Sequence, residues 1–370
     1  MKTAMPINVT RSSLPSLEEY VEEIRSIFES YRLTNMGPIY KKLQQQLMDH
    51  LGVKELSIFT NGHLALETAI DALGLRRDGG EVITTPFTFV STVHAIVRNG
   101  LKPVFCDIRE SDYTMDPERI EELITDKTVA ILPVHVYGNV CSVEAIAAIA
   151  RRHGLKVIYD GAHAFGEKVD GVGVGNFGDA TMFSFHATKV FNTVEGGAVA
   201  FQNEEYAKAL NKLKNFGLYD GEDADVIGGN AKMDEFRAAM GVCNLRHLEE
   251  AVAARKAVHD RYFERLSGVA GIHLNPVQEG VQSNYAYFPV RFDPQVFGKS
   301  RDDVMEQLRE QEINGRRYFY PAVNDMTCYR ALKGKATPIA HEVSLQIMCL
   351  PIYEGLTLAE ADRICDIVLN

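Results

Sequence analysis

Residues 142–160 have the sequence SVEAIAAIARRHGLKVIYD, which predicts a helix followed by a strand. Ser142 is a good N-cap residue, and Gly154 supplies the stop at the end of the helix. The segment KVIYD at 156–160 is a short buried strand that ends in an acid, and another strand is predicted before the helix, at 129–134. A strand, a helix and a strand at this spacing form a βαβ unit. This unit predicts a mostly parallel sheet covered by helices.

The same alternation extends in both directions, from about residue 55 to residue 200. After residue 245 the pattern changes, and we expect a large domain over residues 1–245, with an N-terminal arm, and a smaller α+β domain over residues 246–370. In the large domain, further strands are predicted at 56–60, 81–85 and 103–107 and helices at 64–72 and 90–99. In the smaller one, we expect a long linking helix at 245–266, a strand at 285–292 and helices at 301–311 and 358–368.

The composition is that of a globular protein with an acidic surface. Of the 370 residues, 46% are hydrophobic and 24% are charged, and the formal net charge is −11. A negative surface argues against broad binding to nucleic acids or to anionic membranes. No apolar run approaches the roughly 20 residues of a membrane helix, and the first 20 residues lack the apolar segment of a signal peptide. We therefore expect a cytoplasmic protein with neither a nucleic-acid nor a membrane partner.

The six cysteines are scattered along the chain and contain no CxxC pair. None has a neighbouring histidine at a spacing typical of metal ligands. Most lie in apolar segments, where a reduced cysteine behaves as a small hydrophobic residue. We expect a structural role for them and no metal site.

The residues that directly follow the predicted strands are the candidates for chemistry, because open parallel sheets bind ligands beyond the carboxyl ends of their strands. Asn61, Gly62 and His63 follow the first strand of the large domain and begin a helix. A glycine there permits close approach to the backbone, and the free N–H groups of the first helical turn form an anion site. By itself, a glycine before a helix is more often a plain turn.

An acid, a histidine and a lysine follow two other strands. Asp160 ends the strand at 156–160, so its carboxylate emerges at the edge of the sheet, although many such aspartates only cap a helix or a turn. His163 alone would more often be a hydrogen-bonded loop residue. Lys189 follows an apolar strand and precedes the glycine pair at 196–197. Partial burial at this position would desolvate the amine and lower its pKa, although a single lysine in a loop is usually solvated.

Taken together, these features fit pyridoxal 5′-phosphate as a cofactor. Lys189 would form the Schiff base, and Asp160 would hold the protonated nitrogen of the pyridine ring. The helix that begins after Asn61 would bind the phosphate.

Seven stretches along the chain form one ordered pattern: TNMGP (34–38), NGHLAL (61–66), TPFTFVST (85–92), PVHVYG (133–138), DGAHAFG (160–166), SFHATK (184–189) and EGG (195–197). With this pattern the chain resembles the DegT/StrS-type family of pyridoxal-phosphate sugar aminotransferases, within the fold-type I aspartate aminotransferase superfamily. The resemblance covers nearly the whole chain. It implies an α/β large domain with a mostly parallel seven-stranded sheet, followed by the smaller domain.

The resemblance also implies roles for the residues around the cofactor ring. Lys189 is then the lysine that bonds to the cofactor and carries a proton between the substrate carbon and the cofactor. Asp160 is the partner of the ring nitrogen, and His163 lies near the phenolic oxygen. Phe89 occupies the position whose aromatic ring stacks on the pyridine.

For the phosphate, the resemblance implies Ser184 and the backbone amides of Gly62 and His63. Family members usually have Ser-Gly-Thr where this chain has Asn-Gly-His at 61–63, but the backbone donors remain. Asn230 resembles an asparagine that reaches the phosphate from the neighbouring subunit. The expected assembly is therefore a homodimer with shared active sites.

The function implied is transfer of an amino group from an amino acid, expected to be L-glutamate, to a keto group of a nucleotide-linked 6-deoxy sugar. We expect C4 of a dTDP-linked sugar, with C3 of an NDP-3-keto sugar as the alternative. A related dehydratase activity is a second alternative, but those relatives carry histidine in place of the Schiff-base lysine. A non-catalytic regulator that kept the fold is a third. Arg316, Tyr318 and Tyr320 are expected to shape the sugar side of the pocket.

Overall fold

The computed structural model describes residues 6–75, 79–218, 222–332 and 334–370. The α-helices within these ranges are α1 (Leu17–Ser30), α2 (Pro38–Leu51), α3 (Gly62–Ala72), α4 (Val90–Arg98), α5 (Val143–His153), α6 (Glu204–Leu213), α7 (Glu235–Arg246), α8 (Leu248–Leu266), α9 (Pro294–Phe297), α10 (Arg301–Glu310), α11 (Pro338–Gln346) and α12 (Leu358–Leu369). None of these helices is long and apolar enough to cross a lipid bilayer.

The β-strands of the same ranges form four sheets. In chain order they are β1 (Ile7–Asn8), β2 (Glu55–Phe59), β3 (Glu81–Thr84), β4 (Lys102–Phe105), β5 (Thr128–Leu132), β6 (Lys156–Asp160), β7 (Lys168–Val169), β8 (Val172–Gly173), β9 (Ala180–Ser184), β10 (Gly197–Phe201), β11 (Ile272–Leu274), β12 (Val281–Gln282), β13 (Phe288–Phe292), β14 (Ile313–Asn314) and β15 (Ile347–Leu350).

The large sheet has seven strands in the order β2-β10-β9-β6-β5-β3-β4. Strand β10 runs antiparallel to both of its neighbours, and the other pairings are parallel. The predicted α/β fold with a mostly parallel seven-stranded sheet is therefore confirmed. The carboxyl ends of β2, β6 and β9 meet at one edge, which is the edge where ligands bind in sheets of this kind.

Helices cover both faces of this sheet, because its strands are apolar on both sides. Val82 of β3 belongs to a core cluster with Leu66 of α3 and Ile96 of α4. Ile83, the next residue, belongs to a different cluster that includes Ile146 of α5. Successive side chains of a strand point to opposite faces, so the two clusters lie on the two sides of the sheet.

The C-terminal part has its own three-stranded antiparallel sheet, β11-β13-β15, which packs with α8, α10 and α12 around a separate core. The single helix predicted at 245–266 was wrong at its start. Helix α7 ends at Arg246 and α8 begins at Leu248, with His247 between them at ψ 3°. The strand predicted at 285–292 begins only at Phe288, since Tyr285 has a left-handed backbone with φ 52°.

Ser142 precedes α5 as predicted, but its side chain makes no capping hydrogen bond. Its ψ is 75°, whereas Ser16, which does cap α1, has an extended ψ of 152°. The helix forms without the side-chain cap, because tertiary packing of an apolar face contributes most of a helix's stability in a protein.

Candidate active site

A cavity of about 510 Å³ opens at the carboxyl edge of the large sheet. Segments that follow β2, β6 and β9 line it, together with the first turns of α3 and α4 and residues 316, 318 and 319. Seven of the site residues predicted from the sequence line this one cavity: Gly62, His63, Phe89, Asp160, His163, Ser184 and Lys189.

Asp160, the last residue of β6, presents a buried carboxylate to the cavity. The hydroxyl of Thr92 donates to Oδ2 at 2.7 Å, and the backbone N–H of Ala162 donates to Oδ1 at 3.0 Å. Burial raises the pKa of Asp160, while the two hydrogen bonds and the positive charge of Lys189 oppose that increase. The carboxylate is therefore held rigidly and lies in the electrostatic field of the lysine.

Lys189 lies in the turn that follows β9, and its side chain lines the same cavity. Desolvation lowers its pKa to about 8, the charge of Arg316 adds to this decrease, and the charge of Asp160 opposes it. A primary amine with this pKa is partly unprotonated near neutral pH, which is the form that attacks a carbonyl. The amine is the strongest nucleophile of the cavity.

His163 is a buried, neutral imidazole. Its Nδ1 accepts a hydrogen bond from the backbone N–H of Tyr137 at 3.0 Å, so its single proton is on Nε2. Burial holds the pKa of His163 well below its usual range. The side chain of Asn284 donates to the carbonyl oxygens of His163 and Phe165, which fixes the loop. His163 can therefore act as a hydrogen-bond donor into the cavity.

Helix α3 begins at the cavity wall, with Asn61 as its N-cap and Gly62 as its first residue. A Cβ at position 62 would lie 3.0 Å from the Cβ of Ser184, so a larger residue would require the helix start or β9 to shift by a few tenths of an ångström. The Nδ1 atom of His63 lies 2.9 Å from the hydroxyl of Ser91. The N–H groups of Gly62 and His63 and the Ser184 hydroxyl are the groups that could hold an anion here.

These groups fit pyridoxal 5′-phosphate. A primary amine, a buried carboxylate and a helix N-terminus with an adjacent serine line one cavity. They are the three groups required for an aldehyde, a pyridine nitrogen and a phosphate. The residues that could hold the cofactor are therefore present together.

Two of the predicted residues, Phe89 and Asn230, lie at or beyond the rim. The Phe89 side chain lies at the cavity wall and is 53% exposed. Asn230 does not line the cavity of its own chain; its Oδ1 accepts a hydrogen bond from Lys232 at 2.9 Å. Arg316 and Tyr318 line the cavity, whereas Tyr320 is not among the lining residues.

Sequence reasoning missed the residues that hold the principal side chains in place. Thr92, the partner of Asp160, lies within the TPFTFVST stretch, but nothing in that stretch indicates which threonine reaches the acid. Tyr287 lies 3.3 Å from the amine of Lys189 and belongs to the C-terminal part of the chain. No local signal could have found it, because it belongs to an ordinary aromatic segment of a predicted strand.

The sequence matches the model of one protein family, described as the DegT/DnrJ/EryC1/StrS aminotransferase family, over residues 16–369. Among curated proteins, it is 43% identical to a dTDP-4-amino-4,6-dideoxy-D-glucose transaminase of Shigella dysenteriae, over 95% of each chain. It is 41% identical to a protein of the same name from Escherichia coli, over 98% of each chain.

Among solved structures, the chain is similar to DesI, crystallised in the presence of its TDP-sugar product. Their sequences are 31% identical, and the two chains superpose with a TM-score of 0.94 over 99% of this chain and 93% of DesI. The resemblance extends over both the large sheet and the C-terminal part.

Proposed function

Because the chain belongs to the DegT/DnrJ/EryC1/StrS aminotransferase family, we propose that it aminates the C4 keto group of a dTDP-linked 4-keto-6-deoxy sugar. The chain is a pyridoxal-phosphate-dependent transaminase. The observation that supports this function best is the shared cavity of Lys189 and Asp160 at the start of α3. The C4 position and the dTDP group are taken from the names of the two relatives, and L-glutamate is the amino donor that we propose.

We propose that Lys189 and Asp160 are the catalytic residues. When bound, the cofactor supplies a carbonyl that exchanges amino groups and a ring that withdraws electrons from the reacting carbon. The Nζ atom of Lys189 would take a proton from that carbon when neutral and return it when charged. The carboxylate of Asp160, oriented by Thr92, would hold the positive charge of the ring nitrogen.

The remaining predicted residues would hold the cofactor in place. We propose that Ser184 and the amides of Gly62 and His63 bind the phosphate, since the helix start and Ser184 are in contact. Through Nε2, His163 would donate a hydrogen bond to an oxygen of the ring. The ring of Phe89 would cover one face of the pyridine, because it lies at the cavity wall and its exposed face is available for stacking.

We further propose a homodimer whose active sites are shared between subunits. Asn230 is exposed and is not among the residues that line the cavity of its own chain, which supports a contact with the phosphate of a partner. Helix α1 also exposes Leu17 and Phe28, two large apolar side chains suited to an interface. We propose a cytoplasmic location and the domain boundary after residue 245.

The experiment that tests the function uses the purified enzyme with its cofactor, L-glutamate and a dTDP-4-keto-6-deoxy sugar. We expect an amino group at C4, identified by mass spectrometry and NMR, and no product from Lys189→Ala, which should fold normally. A parallel reaction with a dTDP-3-keto-6-deoxy sugar distinguishes the C3 alternative. Product from the 3-keto sugar alone would refute the C4 assignment, and absence of amino sugar from every substrate would favour a regulator.

A further inference from the structure

One side chain stands beside the amine of Lys189, and no motif in the sequence points to it. Among the described residues, the only hydrogen bond of Lys189 Nζ joins it to the phenolic oxygen of Tyr287, at 3.3 Å. The amine lies 5.7 Å from the centre of the tyrosine ring. Tyr287 directly precedes β13 of the C-terminal sheet, and Lys189 follows β9 of the large sheet. The hydrogen bond therefore joins the two parts of the chain at the reactive amine.

The position of the Tyr287 ring is fixed from several sides. Only 6% of the residue is exposed, and the ring centre of His163 lies 4.5 Å away. The ring of Tyr137 lies at 6.0 Å, and that of Tyr318 lies at 5.6 Å and 84°. Aromatic pairs at these separations attract each other, and a packed core leaves few alternative rotamers. The hydroxyl cannot leave Lys189 without disturbing these contacts.

The charges around Tyr287 determine its protonation. Burial raises the pKa of Tyr287, whereas the positive charges of Arg255 and Arg316 oppose the increase. Arg255 is 1% exposed, and within the described part of the chain its guanidinium donates hydrogen bonds to the backbone carbonyls of Ala286 and Ile352 and to no side chain. The thiol of Cys349 also raises the pKa of Tyr287. For Lys189, the charge of Asp160 raises the pKa and the charge of Arg316 lowers it. Tyr287 therefore keeps its proton, and its hydroxyl can both donate and accept hydrogen bonds.

We propose that Tyr287 is a positioning residue for Lys189, an inference that rests on the transaminase function proposed above. Whenever the lysine is not bonded to the cofactor, the ammonium donates a hydrogen bond to the phenolic oxygen. After Nζ has given up its proton, the hydroxyl of Tyr287 rotates and donates to the neutral amine. The phenol itself neither gains nor loses a proton. Its effect is to hold Nζ at one point and to favour its charged form through a charge-assisted hydrogen bond.

The test compares Tyr287→Phe with Tyr285→Phe in the enzyme loaded with pyridoxamine 5′-phosphate, a cofactor form that leaves Lys189 unbonded. Tyr287→Phe removes the hydroxyl and keeps the ring. Tyr285 is the matched control, since it lies two residues earlier and its ring contacts His259 outside the cavity. Acetic anhydride is added over a range of pH, and modification of Lys189 is quantified by mass spectrometry of its peptide.

In Tyr287→Phe we expect the midpoint of the labelling profile to fall by about 0.5 to 1 pH unit, because the ammonium loses its acceptor. We also expect kcat to fall roughly tenfold with little change in KM for the keto sugar, since a misplaced amine affects the reaction more than binding. Tyr285→Phe should match the wild type in both measurements.

A Tyr287→Phe enzyme with the wild-type midpoint and the wild-type kcat would overturn the proposal. The labelling requires no substrate, so it also separates the two proposals. If Tyr287→Phe shows the expected shift in labelling but the wild-type enzyme forms no amino sugar, the proposed function is refuted and the placement of Tyr287 stands.

Discussion

Asp160 shows how one residue combines burial with charge. Its two carboxylate oxygens each have a protein donor, yet the side chain lines the cavity and faces the field of Lys189. A neutral side chain would be less costly to bury at this position if no ligand bound there, because desolvating a charge is unfavourable. Its placement is consistent with a ligand that carries a positive charge on a ring nitrogen.

We expect Asp160→Asn to fold normally and to lose about 10³-fold in kcat, or roughly 4 kcal/mol of transition-state stabilisation at about 1.4 kcal/mol per decade. The amide fills the same volume beside Thr92 but supplies no charge for the ring nitrogen. Steady-state kinetics of the aminated product measure the loss. Asp126→Asn, an exposed position before β5, is the control. Normal turnover by Asp160→Asn would show that the carboxylate is only a turn residue.

Lys214 is a second buried lysine, and it does not line the cavity. Its amine donates to the hydroxyls of Tyr40 and Ser57, at 2.9 and 2.7 Å, and to the carbonyl of Ile58. Burial lowers its pKa to about 7. Between pH 7 and about 10.4, the unfolded chain keeps a proton that the folded protein has released, so the free energy of unfolding rises with pH in that window.

Replacing Lys214 with methionine should remove this pH dependence. From pH 7 to pH 9, the free energy of unfolding of Lys214→Met relative to the wild type should fall, by on the order of 2 kcal/mol. Urea unfolding at several pH values measures this difference. Lys41→Met, at an exposed position of α2, should show a constant difference. Parallel pH curves for Lys214→Met and the wild type would contradict the assignment.

At the scale of the elements, a helix of the C-terminal part is capped by an acid in the segment that follows a strand of the large sheet. Helix α11 begins at Pro338, and its own N-cap residue, Thr337, makes no capping hydrogen bond. Instead, the buried carboxylate of Asp107, which follows β4, accepts hydrogen bonds from the N–H groups of Ile339 and Ala340. A carboxylate at a helix N-terminus also interacts favourably with the helix dipole.

We expect Asp107→Ala to lower the free energy of unfolding by about 1–3 kcal/mol, since one buried and one partly buried N–H lose a charged acceptor. Urea denaturation followed by circular dichroism provides the measurement. Asp126→Ala, exposed and without this contact, should unfold like the wild type. If Asp107→Ala retained full stability, water would have to satisfy the helix start, and the acid would not join the two parts of the chain.

At the scale of the whole molecule, the active site would be completed only by a second chain. Asn230 supports this arrangement, since it is exposed and makes its side-chain contact with Lys232 rather than with its own cavity. A phosphate held by one helix start and one serine gains from a further donor, and such a hydrogen bond to a charged group contributes roughly 1.5–3 kcal/mol.

Mixing two impaired variants tests the shared site. Asn230→Ala should bind the cofactor more weakly, and Lys189→Ala should be inactive, while both keep their fold. In a heterodimer, one site would carry both changes and the other neither, so exchange of subunits should restore part of the activity. Light scattering and mass spectrometry establish the exchange. A fully active monomer, or proven exchange without any recovery, would rule out the shared site.

The sequence by itself determined how strands and helices alternate along the chain between about residues 55 and 200. It also determined where the candidate catalytic residues lie relative to those strands. Residues 142–160 form the helix and strand that their pattern predicts, because helical and strand periodicities are local properties. Gly62, Asp160 and Lys189 could be placed at one edge because each lies at or after the end of a strand, and strand ends in parallel sheets converge.

Only the tertiary structure decided which residues support that site. Thr92 and Asp160 are 68 positions apart, and Lys189 and Tyr287 are 98 positions apart, so no local pattern links them. The break at His247 and the late start of β13 likewise depend on how the C-terminal part packs. Such contacts arise from the packing of whole elements, and packing is decided by side chains that meet from distant parts of the chain.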